Sequence, residues 1–167
     1  MVDPDILSYA KCTILISRLT AWPYSLPWGS SVYAKVVAHT GNGDSLESVE
    51  GNGAVIYTYP DSPSGLTENI TLRTATTITF YWTAPTFVGG TPVVDYSVFY
   101  DNALLTYSPL ESGIETTTYT AEGLQAGLTY RFKVQARNIY GFSYDSEEVA
   151  ILCARRPSKP VPPTSTN

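Results

Sequence analysis

Histidine, cysteine and methionine are scarce in this sequence of 167 residues, which contains one His, two Cys and one Met. A single His leaves no second imidazole for a metal site. No recognisable set of catalytic residues surrounds it in which it could act as a general base. The sequence also lacks a glycine-rich phosphate loop after a strand and a serine in a nucleophile elbow. We therefore expect a protein that is not an enzyme and that uses no cofactor or metal.

Basic clusters and long apolar runs are also missing. Lys and Arg are scattered and the net charge is −5, which gives no electrostatic footprint for nucleic acid. No run of about eighteen apolar residues exists to cross a bilayer. The segment Met1–Asp5 is acidic where a secretion signal would be basic. We expect protein partners, through self-association or neighbouring modules, and neither nucleic acid nor a membrane span in this chain.

Aromatic and turn-forming residues are abundant. The chain contains thirteen Tyr, five Phe and three Trp, and many Thr and Val. Side chains of these types fit a pleated, half-buried surface and favour strands over helices. Twelve Gly and twelve Pro fit an all-β chain that is punctuated by turns.

An internal repeat divides the chain. The segment Val32–His39 returns 98 residues later as Tyr130–Arg137, and a Gly-x-Ser turn follows it each time. A repeat of this kind is typical of an array of similar modules, which mostly supply shape and surface. The sequence therefore predicts two related units, of which the first is incomplete.

The second repeat shows the alternation of strands with one buried side. Seven strands are predicted in it, at 66–72, 77–82, 94–100, 104–107, 117–121, 130–136 and 148–154. The inward residues predicted for the first three strands are Leu66, Ile70, Leu72, Ile78, Phe80, Trp82, Val94, Tyr96, Val98 and Tyr100. Short alternating strands with turns at such intervals indicate a two-sheet sandwich.

Residues 61–156 resemble a fibronectin type III module. The motifs that carry the resemblance are Pro60-Asp61-Ser62-Pro63, Trp82-Thr83-Ala84-Pro85, Tyr96 to Tyr100, Leu124-x-x-Gly127-x-x-Tyr130 and Asn138 to Ser143. The resemblance implies an all-β fold of immunoglobulin-like sandwiches in tandem, followed by a Pro-rich linker or tail at 157–167. It also implies a structural core of Trp82, Tyr96, Leu124 and Tyr130, with the Tyr130 hydroxyl bonded to the backbone.

Residues 1–60 resemble only the later strands of that module. Cys12–Leu19 aligns with Thr117–Leu124, and the aligned inward face includes Ile14, Ile16, Val36 and Ala38. This half sandwich has no partner sheet, so we expect it to be unstable alone. Two interpretations stay open. The chain is a piece of a longer tandem array, or a second copy supplies the missing strands.

Two aromatic segments are candidates for an interface. Trp22, Tyr24 and Trp28 lie in a Pro-stiffened loop that is inserted relative to the second repeat, and Tyr140 lies in the turn before Ser143. Rigid aromatic side chains suit interface anchors because they lose little entropy on binding. The alternative is that the loop covers its own sandwich. His39 lies near no second His or Cys and is not predicted to bind metal.

Asn69 and the two cysteines are candidates for covalent chemistry. Asn69-Ile70-Thr71 is a glycosylation sequon if the protein is secreted. Cys12 and Cys153 occupy non-equivalent positions of the repeat, which excludes a bridge within one module. They are interpreted as small buried hydrophobic residues or as partners of cysteines in another chain.

The pattern as a whole predicts a structural or adhesive scaffold module outside the cell or at its surface. Its Pro-rich ends suggest a filament that is joined head-to-tail by strand or tail exchange, since heterologous contacts give open assemblies. A ligand- or glycan-binding receptor fragment is the first alternative, with exposed aromatics as its binding surface. An intracellular cytoskeletal scaffold is the second, because the cysteines are unpaired.

Overall fold

A computed structural model describes residues 12–155 and residue 160. The chain divides into a first unit, residues 1–58 with 89–91, and a second unit, residues 59–88 with 92–167. The predictions made for Met1–Asp5 and for most of the Pro-rich segment 157–167 lie outside the described residues. Among the described residues, no helix has the length and apolar character needed to cross a bilayer.

The described part of the first unit consists of one short helix and four two-residue strands. They are α1 (Ile16–Thr20), β1 (Ser31–Val32), β2 (His39–Thr40), β3 (Gly43–Asp44) and β4 (Ala54–Val55). β1 pairs antiparallel with β4, and β2 with β3. Residues 31–55 therefore form a single long hairpin whose strands are interrupted in the middle.

The described part of the second unit contains seven strands, the number that the alternation predicts. They are β5 (Ser64–Glu68), β6 (Ile78–Thr83), β7 (Asp95–Tyr100), β8 (Ser108–Ile114), β9 (Thr118–Ala121), β10 (Thr129–Arg137) and β11 (Val149–Leu152). One antiparallel sheet has the order β11-β10-β7-β8 and the other the order β5-β6-β9. These two sheets form the predicted all-β, immunoglobulin-like sandwich.

The core lies between the two sheets and is rich in aromatic rings. Phe80 and Phe132 are fully buried and their ring centroids are 4.7 Å apart. Trp82 meets the ring of Tyr96 edge to face at 5.3 Å. Aromatic pairs of this kind stabilise a core beyond the apolar area that they bury. The inward alternation predicted for β6 and β10 is confirmed, because their inward side chains are at most 3% exposed.

Three predictions about the edges of the strands are wrong. β5 ends at Glu68, and Ile70 and Leu72 are 52% and 55% exposed instead of buried. The reason is a local turn, in which the Asn69 Oδ1 accepts hydrogen bonds from the backbone N and the hydroxyl of Thr71. Val94 precedes β7 and is 52% exposed.

The predicted strand at 104–107 does not form, because residues 102–105 are a turn and the strand begins later, as β8. The Asp101 carboxylate accepts a hydrogen bond from the Ala103 backbone N at 3.0 Å. Asn102, Ala103 and Leu105 have positive φ angles of 47°, 57° and 62°. A short polar side chain that bonds to the backbone two residues ahead favours a turn over an extended strand.

The repeat recurs in the hydrogen bonds of both units. In the second unit, Ser143 Oγ and Ser146 Oγ accept from the backbone N of Ala136 and Val134, each at 3.0 Å. In the first unit, the corresponding acceptors are Ser45 Oγ and Ser48 Oγ. They accept from Ala38 N and Val36 N at 2.9 and 3.0 Å. The hairpin is therefore the same element in both units, with serine side chains bridging the interrupted ladder.

The segment Cys12–Leu19 is not the strand that its alignment predicts. Its residues from Ile16 onward form α1. The aligned strand β9 pairs with β6 alone in the second unit, and the first unit has no described equivalent of β6. A strand without a neighbour leaves its backbone groups unpaired, whereas a helical turn satisfies some of them locally.

Candidate functional site

The first unit exposes the face that the second unit buries. We define the open face as Ile14, Ile16, Val32, Ala34 and Val36. Val36 is 67% exposed, whereas its repeat equivalent Val134 is fully buried in the core. Ile14 and Ile16 are 52% and 39% exposed, and Ala34 is also exposed. The hairpin is thus folded as in the sandwich, but within the described residues no second sheet covers it.

The open face forms a shallow apolar concavity. Residues from both ends of the unit line it, among them Leu19, Val32, Ala54 and Ile56. Ile56 is 3% exposed and is the only hydrophobic residue of the described part of this unit among the buried core residues. Contiguous exposed apolar surface of this kind is typical of a contact site for another polypeptide.

The Pro-stiffened loop of the first unit presents its aromatic residues to solvent. Trp22 is 87% exposed and Tyr24 is 64% exposed, whereas Trp28 is 36% exposed. The backbone of the loop is fixed, because Ser25 N donates to Ala21 O at 2.8 Å and Leu26 N donates to Leu19 O at 2.9 Å. Trp22 and Tyr24 are therefore available as interface anchors, which stays a prediction.

A second aromatic surface lies on the second unit, and we call it the aromatic cluster. It consists of Tyr59, Tyr140, Phe142 and Tyr144, which are 53%, 50%, 47% and 90% exposed. The rings of Tyr59 and Tyr140 meet edge-on, with centroids 4.8 Å apart, and the four residues line one cleft. Of these four residues only Tyr140 is predicted from the sequence as an interface residue, and Tyr59 is 81 residues away from it in the chain.

The turn that carries the aromatic cluster is held rigidly by Asn138. This side chain is 3% exposed, and its Oδ1 accepts from the backbone N of Tyr140 and of Gly141 at 2.9 and 3.0 Å. Its Nδ2 donates to the Val88 carbonyl at 2.9 Å. A prepared loop loses less conformational entropy when it binds a partner. The signal in the sequence is the Asn-x-x-Gly spacing of the turn.

The predicted core residues lie together between the sheets. Trp82, Tyr96, Leu124 and Tyr130 are between 3% and 6% exposed. The Tyr130 hydroxyl accepts a hydrogen bond from the Gln125 backbone N at 2.9 Å. This bond ties the loop after β9 to the start of β10.

The two cysteines are in opposite environments, and both are free thiols. Cys12 is exposed, whereas Cys153 is fully buried and its Sγ donates to the Ala75 carbonyl at 3.2 Å. The pKa of the Cys153 thiol is raised, because the effect of burial outweighs the opposing effect of the nearby Arg73 guanidinium. A folded second unit therefore does not present Cys153 to another chain as a reactive thiolate.

Asn69, the glycosylation candidate, is a half-buried turn residue whose backbone N donates to Thr79 O at 2.8 Å.

His39 is exposed, and its Nδ1 lies 2.5 Å from Asp44 Oδ1. Across residues 12–155 and 160, no three His, Cys, Asp or Glu side chains gather as metal ligands. The described ionisable groups instead form pairs along the sheets, such as Arg137 with Asp95 and Arg73 with Glu68.

Asp101 is the most deeply buried acid of the described chain, with a fully buried side chain. Burial acts to raise its pKa, but hydrogen bonds from the backbone N of Arg131 and Ala103 and from the Arg131 guanidinium leave the pKa below its ordinary value. Tyr107 donates to Glu148 at 2.6 Å, and burial with this bond raises the Tyr107 pKa. The Asp101 bonds stabilise the loop after β7, and the Tyr107 bond stabilises the start of the edge strand β8.

Comparison with known proteins agrees with this architecture. The model of the fibronectin type III domain matches residues 61–151. Smooth muscle myosin light chain kinase of Gallus gallus is 29% identical over 93 residues, which cover 56% of this chain and 5% of that protein. A Kelch domain-containing protein of Saccharolobus solfataricus is 29% identical over 120 residues, which cover 72% of this chain and 15% of that protein. The chain thus spans a small part of these relatives.

Two solved structures share the fold. Domains from titin superpose with a TM-score of 0.61 at 20% identity, over 80% of this chain and 44% of theirs. The twitchin kinase region of C. elegans superposes with a TM-score of 0.54 at 26% identity, over 62% of this chain and 18% of that one. With the domain model matching more than half of its length, the chain belongs to the fibronectin type III family.

Proposed function

We propose that this protein is a structural or scaffold module that works by contact, and that it assembles when a second copy adds strands to the open face. The fibronectin type III domain is a non-catalytic fold, which fits a role in shape and attachment. The observation that carries the proposal is the contrast between Val36 and Val134, which occupy equivalent positions in the two hairpins and differ in exposure.

The chemistry of the open face defines its occupant. In the second unit, the equivalent side chains of β10 pack against the sheet β5-β6-β9. A β-rich segment with alternating apolar residues is therefore the surface that the open face fits, and a second copy carries such segments. A segment that covers the open face supplies the apolar contacts, and the backbone hydrogen bonds form where the added strand pairs with an edge of the hairpin. Each copy then offers one open face and one segment that covers the open face of the next copy. Because these are different surfaces, the contact is head-to-tail and continues into a filament.

Sedimentation velocity of the full chain tests this assembly. Val36→Glu places a charge on the open face and is expected to shift the protein towards the monomer, because a buried unpaired carboxylate is costly. Leu46→Glu is the matched control, since it adds the same charge at a residue that is 94% exposed and lies outside the open face. Equal association of the two variants would contradict the proposal.

The proposed location is outside the cell or at its surface, with an adhesive role. It is supported by the sequon at Asn69, which lies on a turn with the exposed Ile70 and Thr71. Mass spectrometry of the peptide that contains Asn69, from native material, is expected to show a glycan mass. An unmodified peptide together with two free thiols would instead favour the intracellular scaffold.

A ligand- or glycan-binding module is the second candidate function. The exposure of Trp22 and Tyr24 on a fixed loop favours it, because flat rings stack on apolar faces of ligands. A glycan array with the full chain and with Trp22→Ala separates the two functions. A binder loses its ligand in this variant, whereas a scaffold binds no array member and keeps its state of assembly.

A further inference from the structure

The aromatic cluster is a prepared apolar cleft that the proposed assembly through the open face does not use. Its four rings come from two separate segments, and Ser62 Oγ joins these segments by donating to the Tyr144 carbonyl at 2.9 Å. The Arg137 guanidinium lies 5.5 Å from the centre of the Phe142 ring and is held by Asp95. A rigid row of exposed tyrosines is a surface for a ligand with flat apolar faces and few donors.

We propose that the aromatic cluster binds the Pro-rich segment 157–163 of a second copy of this chain, an inference that deepens the proposed scaffold function and rests on it. The segment reads Pro-Ser-Lys-Pro-Val-Pro-Pro and contains two overlapping Pro-x-x-Pro motifs. Such sequences favour the polyproline II helix, which docks into aromatic-lined grooves with little loss of entropy.

Charge favours the same occupant. Residues 155–167 contain Arg155, Arg156 and Lys159 and no acid, whereas the whole chain has 10 basic and 15 acidic residues. Residues 1–154 therefore carry 7 basic and 15 acidic side chains, a formal charge of −8. Asp61 and Asp145, beside the cluster in sequence, are both exposed. Asp145 also pairs with Lys133 at 3.6 Å, which leaves Asp61 as the acid beside the cluster for which no ion pair is described. A basic Pro-rich ligand is attracted to a partner whose net charge is negative.

The length of the chain indicates that the segment comes from a second copy. The cluster follows the end of β10 at Arg137, whereas Leu152 pairs with Thr129 at the start of β10. The nine residues of β10 separate these two points by about 26 Å. Five residues from Leu152 to Pro157 reach at most about 18 Å. Pro157 therefore falls short of the end of β10 in its own chain, whereas Pro160 is eight residues from Leu152 and reaches about 29 Å. Docking of the whole segment 157–163 in the cleft therefore joins different copies.

Fluorescence anisotropy with a labelled peptide of residues 154–167 tests the inference. The receptor is the full chain with Pro157→Ala, Pro160→Ala, Pro162→Ala and Pro163→Ala, which removes competition from its own segment. We expect saturable binding that Tyr144→Ala or Tyr140→Ala weakens about tenfold or more, as for an aromatic anchor. Tyr81→Ala is the matched control, because Tyr81 is 47% exposed on β6 outside the cluster.

Further measurements test whether the segment comes from a second copy, and they distinguish this contact from the proposed contact at the open face. The peptide with all four prolines replaced by Ala is expected not to bind, and sedimentation of the unmodified chain is expected to show association that the four-proline variant weakens. Peptide binding without such association would overturn the second copy as the occupant. Equal affinity for Tyr144→Ala and Tyr81→Ala, with folding checked by circular dichroism, would overturn the site. Val36→Glu is expected to keep peptide binding, so a failure of the open face is seen separately.

Discussion

At the scale of single residues, the repeat provides a matched pair for measuring burial. Val134→Ala removes two methyl groups from a fully buried site and is expected to lower the free energy of unfolding by about 2 kcal/mol. Val36→Ala makes the same change at an exposed site and is expected to alter it by less than about 0.5 kcal/mol in dilute solution. Urea unfolding followed by circular dichroism measures both. Equal losses of unfolding free energy in the two variants would show that the open face of the first unit is already covered.

Asp101 makes the stability of the second unit depend on pH. Its pKa is lower in the folded protein than in the unfolded chain. Its stabilising effect is therefore complete above the unfolded pKa of about 3.9 and is lost as the pH falls through the lower, folded pKa. Asp101→Asn is expected to cost on the order of 2 kcal/mol at neutral pH, because charged hydrogen bonds to the Arg131 and Ala103 backbone are lost.

The pH dependence separates Asp101 from other acids. Urea midpoints of the wild type are expected to fall between about pH 4 and pH 2, and those of Asp101→Asn to fall less over this range. Glu122→Gln is the control, since Glu122 is exposed after β9. A wild type and an Asp101→Asn variant with parallel pH profiles would contradict the role of this carboxylate.

At the scale of elements, the hairpin with bridging serines is the unit that both halves of the chain share. Ser146→Ala leaves the backbone N of Val134 buried without its acceptor and is expected to cost about 1–3 kcal/mol of unfolding free energy. Ser48→Ala removes the same bond to Val36 N at an exposed site, where water replaces it, so its cost is smaller. Hydrogen exchange at these two amides measures the difference directly, and equal protection changes would refute it.

The sequence predicts strands correctly where neighbouring strands and a buried face enforce alternation. The prediction fails where a side chain bonds to its own backbone and forms a turn. β6 and β10 are read correctly, because both have a neighbouring strand on each side and one face in the core. Asn69 and Asp101 end or delay strands by bonding to their own backbone. The helix α1 shows the same limit, since an inward pattern does not form a strand without a neighbour.

The candidate surfaces were predictable only in part. Ile14, Ile16 and Val36 are predictable from the repeat, because they align with inward positions of the second repeat. The aromatic cluster was not, since its rings converge through the turn held by Asn138 and the entry segment at Tyr59. Convergence of distant segments depends on the register of β7, β10 and β11, which alternation alone does not determine.

At the scale of the whole molecule, the chain contains a complete sandwich and a hairpin that repeats part of one. Equivalent inward residues stabilise the fold in one unit and are exposed in the other, so the pattern that builds the core also builds the proposed interface. The two proposed contacts, through the open face and through the Pro-rich segment, differ in chemistry, and each would lead from one copy to the next.

Negative-stain electron microscopy of the full chain at several concentrations tests the central claim most directly. The account predicts filaments that lengthen with concentration, are lost in Val36→Glu and persist in Leu46→Glu. Single short particles at every concentration, the same for the unmodified chain and for Val36→Glu, would contradict it and would show that a second copy does not cover the open face.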